Sequence, residues 1–447
     1  MIGGGLAGIA AACALADRGV AVTLLEKRPY LGGRAFSFQD SEPGRHIDNG
    51  QHIYLACCTA YTGLLRQLGV FERTRLQRRL RAVIVDRDGR RGALSAAPLL
   101  PSPLHLLPSF LAYPHLSLVE KLRAASAMLS IMRTDRAKHR AALEAQTFRD
   151  WLVRRGQSER AIAALWDLLT LPVFNDTVDR VSAYMGLMFF QDGMLAGRHS
   201  ADIGVSAVGL TDLVEDAARG YLEARGGEVL TGRSVTGIAT GDGAVTGVVA
   251  DGGLLPADAV VAAVPWDALA PLLPAEAGAS SAPALEWAPI INVHVWYDRP
   301  VIGEPFLAVL DSPLQWVFNR SHIEGVPGPG QHVCISVSGA WDFATMPRDA
   351  LRELFLDEMA RVFPAAAEAG VERFTVVRQV NATFRCTPGA QSQRPEQSTA
   401  VAGLGLAGDW TQTGWPATME SAVRSGRLAA ESVISDLERI GTRPASP

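Results

Sequence analysis

Several classes of protein are excluded by what this sequence has little of. Cysteines occur only at positions 13, 57, 58, 334 and 386 of 447 residues. None are paired as C-x-x-C and their number is odd, so neither a disulfide framework nor a thiolate metal cage is expected, and a reducing compartment fits. No purely apolar run reaches the roughly 18 residues of a spanning helix. Charge of one sign is scarce: 42 basic side chains stand against 46 acidic ones, a net charge of −4, so bulk charge recruits no nucleic acid. No secretory leader is expected, because the first residues run straight into glycines. What is left is an ordinary globular composition, 48% hydrophobic and 20% charged. At this length, two or three domains or one large interleaved body are expected.

The organising stretch is MIGGGLAGIAAACALADRGVAVTLLEKRPYLGGR. Gly3, Gly5 and Gly8 are spaced as G-x-G-x-x-G. An Ala-rich run, Ile9 to Ala16, suits the following helix. Val20 to Leu25 is apolar, as a buried parallel strand is, and ends on Glu26. Strand, glycine turn, helix, strand and acid make the dinucleotide-binding pattern in its proper context. Gly3 permits the turn, Gly5 lets a pyrophosphate approach the backbone, and Gly8 lets helix and strand pack closely. Leu6 and Ala7 open the helix, whose unpaired N–H groups favour phosphate. Glu26, with Lys27 beside it, is placed to accept ribose hydroxyls. The double glycine ending at Gly33, with Arg34 after it, brings a second backbone element to the cofactor and tilts the reading toward FAD.

Only Met1 and Ile2 precede Gly3, fewer than the roughly five residues of a typical strand. A central strand that short is expected to pair poorly, and an upstream start is expected. A longer chain with apolar residues before Met1 should then be more stable and retain flavin better.

Further on, His46-Ile47-Asp48-Asn49-Gly50-Gln51-His52 concentrates polar groups around one glycine. It reads either as a surface loop of Asx turns or as a polar edge of the cofactor or substrate site. In the second reading His52, with an ordinary pKa near 6.5, is the favoured proton donor, and Gln51 and Asp48 accompany it. Residues 98–133 mix short apolar runs with five prolines and so form no single straight helix. They suggest a greasy lid or tunnel mouth. Ser117 and Glu120 are spaced as a helix cap, and Lys121, Arg123 and Arg133 nearby suit a membrane surface carrying anionic lipid. Thr147 to Leu169 reads as helical, broken by Pro172, Phe174 and Asn175. Val181 to Phe190 reads as cavity wall or core helix. Asp192, Arg198, His199 and Asp202 are candidates for a substrate's polar point.

From 210 to 265 a helix, a set of short strands including Val235, and an apolar return strand suggest chain feeding back into the parallel sheet. Near the end, sheet material at Ala402 to Leu406 leads to Gly408 and Asp409. The turn Pro416-Ala417-Thr418-Met419 then opens a helix. Asp409 suits a ribityl hydroxyl, and the helix start suits the electron-rich end of a flavin. The expected fold is α/β: a discontinuous Rossmann-like FAD-binding domain (1–75, 206–270 and 396–440), with an inserted mixed β-sheet substrate domain and helical lobe (76–205 and 271–395) and a tail (441–447).

The two ends, GGGLAGIAAACALADRGVAVTLLEKRPYLGGR and GLAGDWTQTGWPATMESAVRSGRLAAE, resemble the FAD-dependent amine oxidase and phytoene desaturase superfamily. The resemblance implies that Gly3, Gly5, Gly8, Glu26, Gly33, Arg34, Asp409 and Met419 contact FAD. The phrase IDNGQHIYLACCTAY looks like the hydroxysqualene dehydroxylases of bacterial hopanoid synthesis. That branch implies reduction of hydroxysqualene to squalene by reduced FAD, an isoprenoid lipid substrate, and a cytoplasmic protein held peripherally at the inner face of the membrane. A carotenoid-type desaturase, an amine oxidase and a flavin-bound lipid carrier stay open beside it. No nicotinamide site is evident beyond the glycine motif.

Overall fold

The computed structural model describes residues 1–39, 46–274, 277 and 283–440. The expected tail at 441–447 lies outside them. On the nucleotide side, short parallel strands come together from distant parts of the chain. Thr23–Glu26 pairs with Glu228–Thr231, and Val260–Ala262 pairs with Leu404–Leu406. Ile2 joins the two pairs. Its N–H donates to Val261 O (2.9 Å) and its carbonyl accepts from Ala263 N (2.8 Å). On the other side Gly3 N donates to Leu25 O (2.8 Å) and Leu25 N to Met1 O (2.9 Å). The expectation of poor pairing here is corrected: two residues are bonded on both sides because the neighbouring strands are themselves only three or four residues long.

The Leu6–Ala16 helix is buried on nearly every side, as its lack of polar residues requires. It lies against the C-terminal Met419–Ile440 helix, and the contact is close. A Cβ on Gly426 would stand 2.2 Å from Ala7 O, so glycine is what lets the backbones meet.

A seven-stranded mixed sheet forms the second body. In order it runs Val371–Phe384, Trp287–Tyr297, Gln331–Ser338, Trp316–Asn319, Phe306–Leu310, Arg81–Asp86 and Arg91–Ser95. Only Phe306–Leu310 and Arg81–Asp86 pair in parallel. Alternation divides the Trp287–Tyr297 strand. Ile291, Val293 and Val295 pack with Leu351, Phe355 and Met359 of the Arg348–Val362 helix. Ile290 and Asn292 point the other way, into the cleft described below.

The helical lobe is pinned by Phe148, Trp166 and Phe190, whose rings meet edge to face or tilted. Ser117 and Glu120 form the expected reciprocal cap of the Leu118–Arg133 helix, and Thr147 with Asp150 forms a second one. The stretch read as one helix from Thr147 is instead several: Phe148–Val153, Glu159–Ala161, a π-helical Ile162–Asp167 and Leu168–Phe174. Pro172 lies inside the last of these, and the helix ends where Asn175 turns left-handed at φ 52°. Capping at Thr147 and Ser158 starts new turns that apolar spacing alone does not reveal. No helix among the described residues is long and apolar enough to cross a membrane.

Candidate active site

Between the parallel strands and the mixed sheet runs a cleft of about 940 Å³. Its walls include Gly3, Gly5, Leu6, Ala7, Glu26, Lys27, Gly33, Arg34, Val235, Gly408, Asp409, Ala417, Thr418 and Met419. These positions come from four separated stretches of sequence, and the fold brings them together. Gly8 is not on the wall. It packs beneath it, where a Cβ would stand 1.9 Å from Gly3 O. Pro416 faces a neighbouring cavity instead.

The local geometry suits a dinucleotide. The Leu6–Ala16 helix starts at Gly5 with no side-chain cap, leaving its first N–H groups for a phosphate. A Cβ on Gly5 meets nothing nearer than Gly33 Cα at 3.7 Å, so only a ligand needs that space. The Gly32–Gly33 turn is bridged onto the first turn, Gly32 N donating to Gly4 O at 2.9 Å. Glu26 is 7% exposed, and its carboxylate accepts from Gly4 N (2.6 Å) and Arg28 N (2.8 Å). Arg34 pairs with Asp409 and donates to Ala382 O at 2.9 Å. Two residues read separately as cofactor contacts thus form one ion pair across the cleft.

The polar segment forms a further wall: Asn49, Gly50, Gln51 and His52 line the cleft. Asp48 stands behind it, 6% exposed and paired with Arg320 at 2.8 Å. Burial pushes the His52 imidazole down to about 4, opposed by Asp48 and reinforced by Arg34. At neutral pH it is therefore uncharged, and a weaker base than an ordinary imidazole. His46 lies apart and pairs with Asp212 at 3.3 Å.

A second, apolar cavity of about 140 Å³ adjoins the cleft and shares Ile53, Pro172, Val173, Trp316, Thr418 and Met419 with it. Ile84 and Leu94 from the sheet, Leu80 just before it, and Leu168, Met188 and Phe189 from the lobe are among its walls. Asp192, Arg198, His199 and Asp202 line neither space. Asp192 pairs with Arg136, while Asp202 bonds His199 and the Leu80 N–H. Asp192 thus ties the lobe through a side-chain pair, and Asp202 ties the Leu80 backbone to His199.

Sequence reasoning missed Arg320, Asn292, Arg394 and Glu420. Arg394 is 4% exposed and donates to the carbonyls of Asp409 (2.9 Å) and Trp415 (2.8 Å), bracing the turn that carries Asp409. Glu420 accepts from Ala60 N (3.1 Å) and Tyr61 N (2.8 Å), capping the Thr59–Gln67 helix and fixing Met419 beside it. Asn292 was legible as a polar residue recurring within an alternating strand. Arg320 follows Trp316 and Phe318 at the same two-residue spacing.

A family model described as flavin containing amine oxidoreductase matches residues 6–434. The chain belongs to this family. A flavin-containing amine oxidoreductase uses FAD, and the uncapped helix start, the open space at Gly5 and the long cleft fit it here. Among curated relatives, the zeta-carotene desaturase of Synechocystis sp. is 26% identical, covering 99% of this chain and 98% of that protein. The hydroxysqualene dehydroxylase of Rhodopseudomonas palustris is 28% identical, covering 97% and 98%. Among solved structures, an oxidoreductase from Methanosarcina mazei superposes with a TM-score of 0.73 at 18% identity, covering 97% of this chain and 99% of that one. This last likeness concerns the fold. The protein is thus an FAD-dependent oxidoreductase related to carotene desaturases and amine oxidases.

Proposed function

We propose that the protein moves hydride between FAD and a carbon of a long isoprenoid hydrocarbon. The observation that carries this reading is the apolar cavity meeting the cofactor cleft at Thr418 and Met419, in a cleft that the polar Asn49–His52 segment also lines. Bound FAD supplies the two-electron chemistry. The residues of the chain then have three tasks. Leu80, Ile84, Leu94, Leu168 and Phe189 hold a hydrocarbon and exclude water. Thr418 and Met419 form the junction where the reacting carbon is presented. His52 takes up the proton that leaves when a carbon–carbon double bond is made.

The relationship to zeta-carotene desaturase favours the desaturating direction. Dehydroxylation of hydroxysqualene is the second reading. It is favoured by the IDNGQHIYLACCTAY phrase and by end-to-end similarity to a hydroxysqualene dehydroxylase. In that direction the departing hydroxyl needs a proton, and turnover should rise as pH falls toward the His52 pKa of about 4. One anaerobic experiment tests both. FAD-loaded protein is incubated oxidised with phytoene, and dithionite-reduced with hydroxysqualene. New polyene absorbance supports desaturation, and squalene supports dehydroxylation. Neither product in either incubation overturns the proposal.

The reading extends to where the substrate comes from. Leu99, Leu104, Leu111, Leu118, Val119 and Leu122 are each at least half exposed, and all lie within residues 99–122. Lys121, Arg123 and Arg133 lie on the same Leu118–Arg133 helix as Leu118 and Leu122. Peripheral contact with a bilayer carrying anionic lipid is the proposed use of this surface, since it would deliver a lipid substrate without a dissolved stage.

A further inference from the structure

Arg320 lines neither the cleft nor the apolar cavity, yet it is 3% exposed and bonded to what stands behind the polar wall. It is the first residue of the Arg320–Glu324 helix, just past the Trp316–Asn319 strand. One guanidinium nitrogen donates to Gln51 Oε1 at 2.8 Å. The other donates to Asp48 Oδ2 at 2.8 Å and also pairs with Glu324. The second oxygen of Asp48 accepts from Ser37 Oγ (2.7 Å) and Leu210 N (3.0 Å), so that carboxylate is bonded on both sides. Asn292 holds the same segment by its backbone. It accepts from Gln51 N and donates to Asn49 O, each at 3.3 Å. A Cβ on Gly50 would stand 2.8 Å from Asn292 Nδ2, so the segment lies flat on that side chain.

We propose that Arg320 is a positioning residue, acting through Gln51 and Asp48 to fix the Asn49–His52 wall against the bound cofactor. This rests on the reading of that wall as the polar side of the reaction site. The planar guanidinium is what the task needs. It reaches a carboxylate and an amide oxygen with two differently directed nitrogens, which a lysine ammonium cannot match in a fixed plane. Asn292 alone leaves the side chain of Gln51 free to rotate.

The test reads the cofactor, not turnover, so its failure is distinct from a failure of the substrate assignment. Arg320→Lys should weaken FAD binding by about tenfold, the scale of one lost charge-assisted hydrogen bond. It should also change the envelope of the visible flavin absorbance. Gln51→Ala should do the same with little change in Tm, because it leaves no charge unpaired. The double variant should be no worse than the more affected single one, since the two act as a unit. Glu324→Gln removes an ion-pair partner of Arg320 but not its bonds to the wall, and should leave the flavin spectrum unchanged. A wild-type spectrum and FAD affinity in Arg320→Lys, or additive losses in the double variant, would overturn the proposal. Should Arg320→Lys fail to fold, an unaltered flavin spectrum in Gln51→Ala overturns it alone.

Discussion

Single atoms separate the roles of two of the motif glycines. An added Cβ has 3.7 Å of clearance at Gly5 but would lie 1.9 Å from a backbone carbonyl at Gly8. Gly5→Ala should therefore fold with the Tm of the wild-type apoprotein and lose FAD, because the methyl takes ligand space. Gly8→Ala should lose both, since helix and turn must part to admit it, at a cost of about 2 kcal/mol or more. Thermal melts of the apoproteins together with FAD titration check this. Equal apoprotein stability in the two variants would contradict it. The sequence motif alone does not distinguish these glycines, because both match the pattern. What separates them is a carbonyl five residues earlier, brought back by the turn.

At the level of elements, the Trp287–Tyr297 strand shows how one alternating pattern serves two purposes. Its apolar face seals the sheet against a helix, and its other face carries Asn292, His294 and Trp296. His294 is 1% exposed and bonds His332 at 3.0 Å. Burial, reinforced by Arg320 and opposed by Asp48, pushes its imidazole down to about 4 from 6.5. His52 behaves alike. Between these values the unfolded chain binds protons that the folded chain refuses. The contribution of these two histidines to stability should then be level above pH 6.5 and fall as pH drops from 6.5 toward 4. His294→Gln should flatten the slope of Tm against pH in that window. A slope parallel to wild type would remove His294 from the account. The alternation is a property of the sequence. The protonation state is not, because it depends on the dielectric made by other strands.

For the whole molecule, the exposed leucines of residues 99–122 form a run of apolar side chains at the surface. Leu118 and Leu122 are 66% and 63% exposed on the capped Leu118–Arg133 helix, so neither supports the core. Replacing both with Asp should abolish sedimentation with vesicles of mixed neutral and anionic phospholipid while leaving Tm within about 2 °C, as surface changes do. If binding persists undiminished, the patch is not the contact. The prolines of this stretch did predict a broken structure, now seen as the short Leu107–Ala112 helix and the separate Leu118–Arg133 helix.

The sequence by itself determined the features whose causes lie within a few residues: the glycine turn, the uncapped helix start, the Ser117–Glu120 cap and the two faces of the central strand. Tertiary structure alone decided that Arg34 meets Asp409 across 375 residues and that Arg320 holds Asp48 across 272. It also decided that burial pushes the His52 imidazole down to about 4. The physical reason is the same in each case. A cap or an alternation is a local contest between backbone and side chain. A buried ion pair or a shifted pKa is set by whatever the fold places a few ångströms away, and that neighbour is remote in the chain.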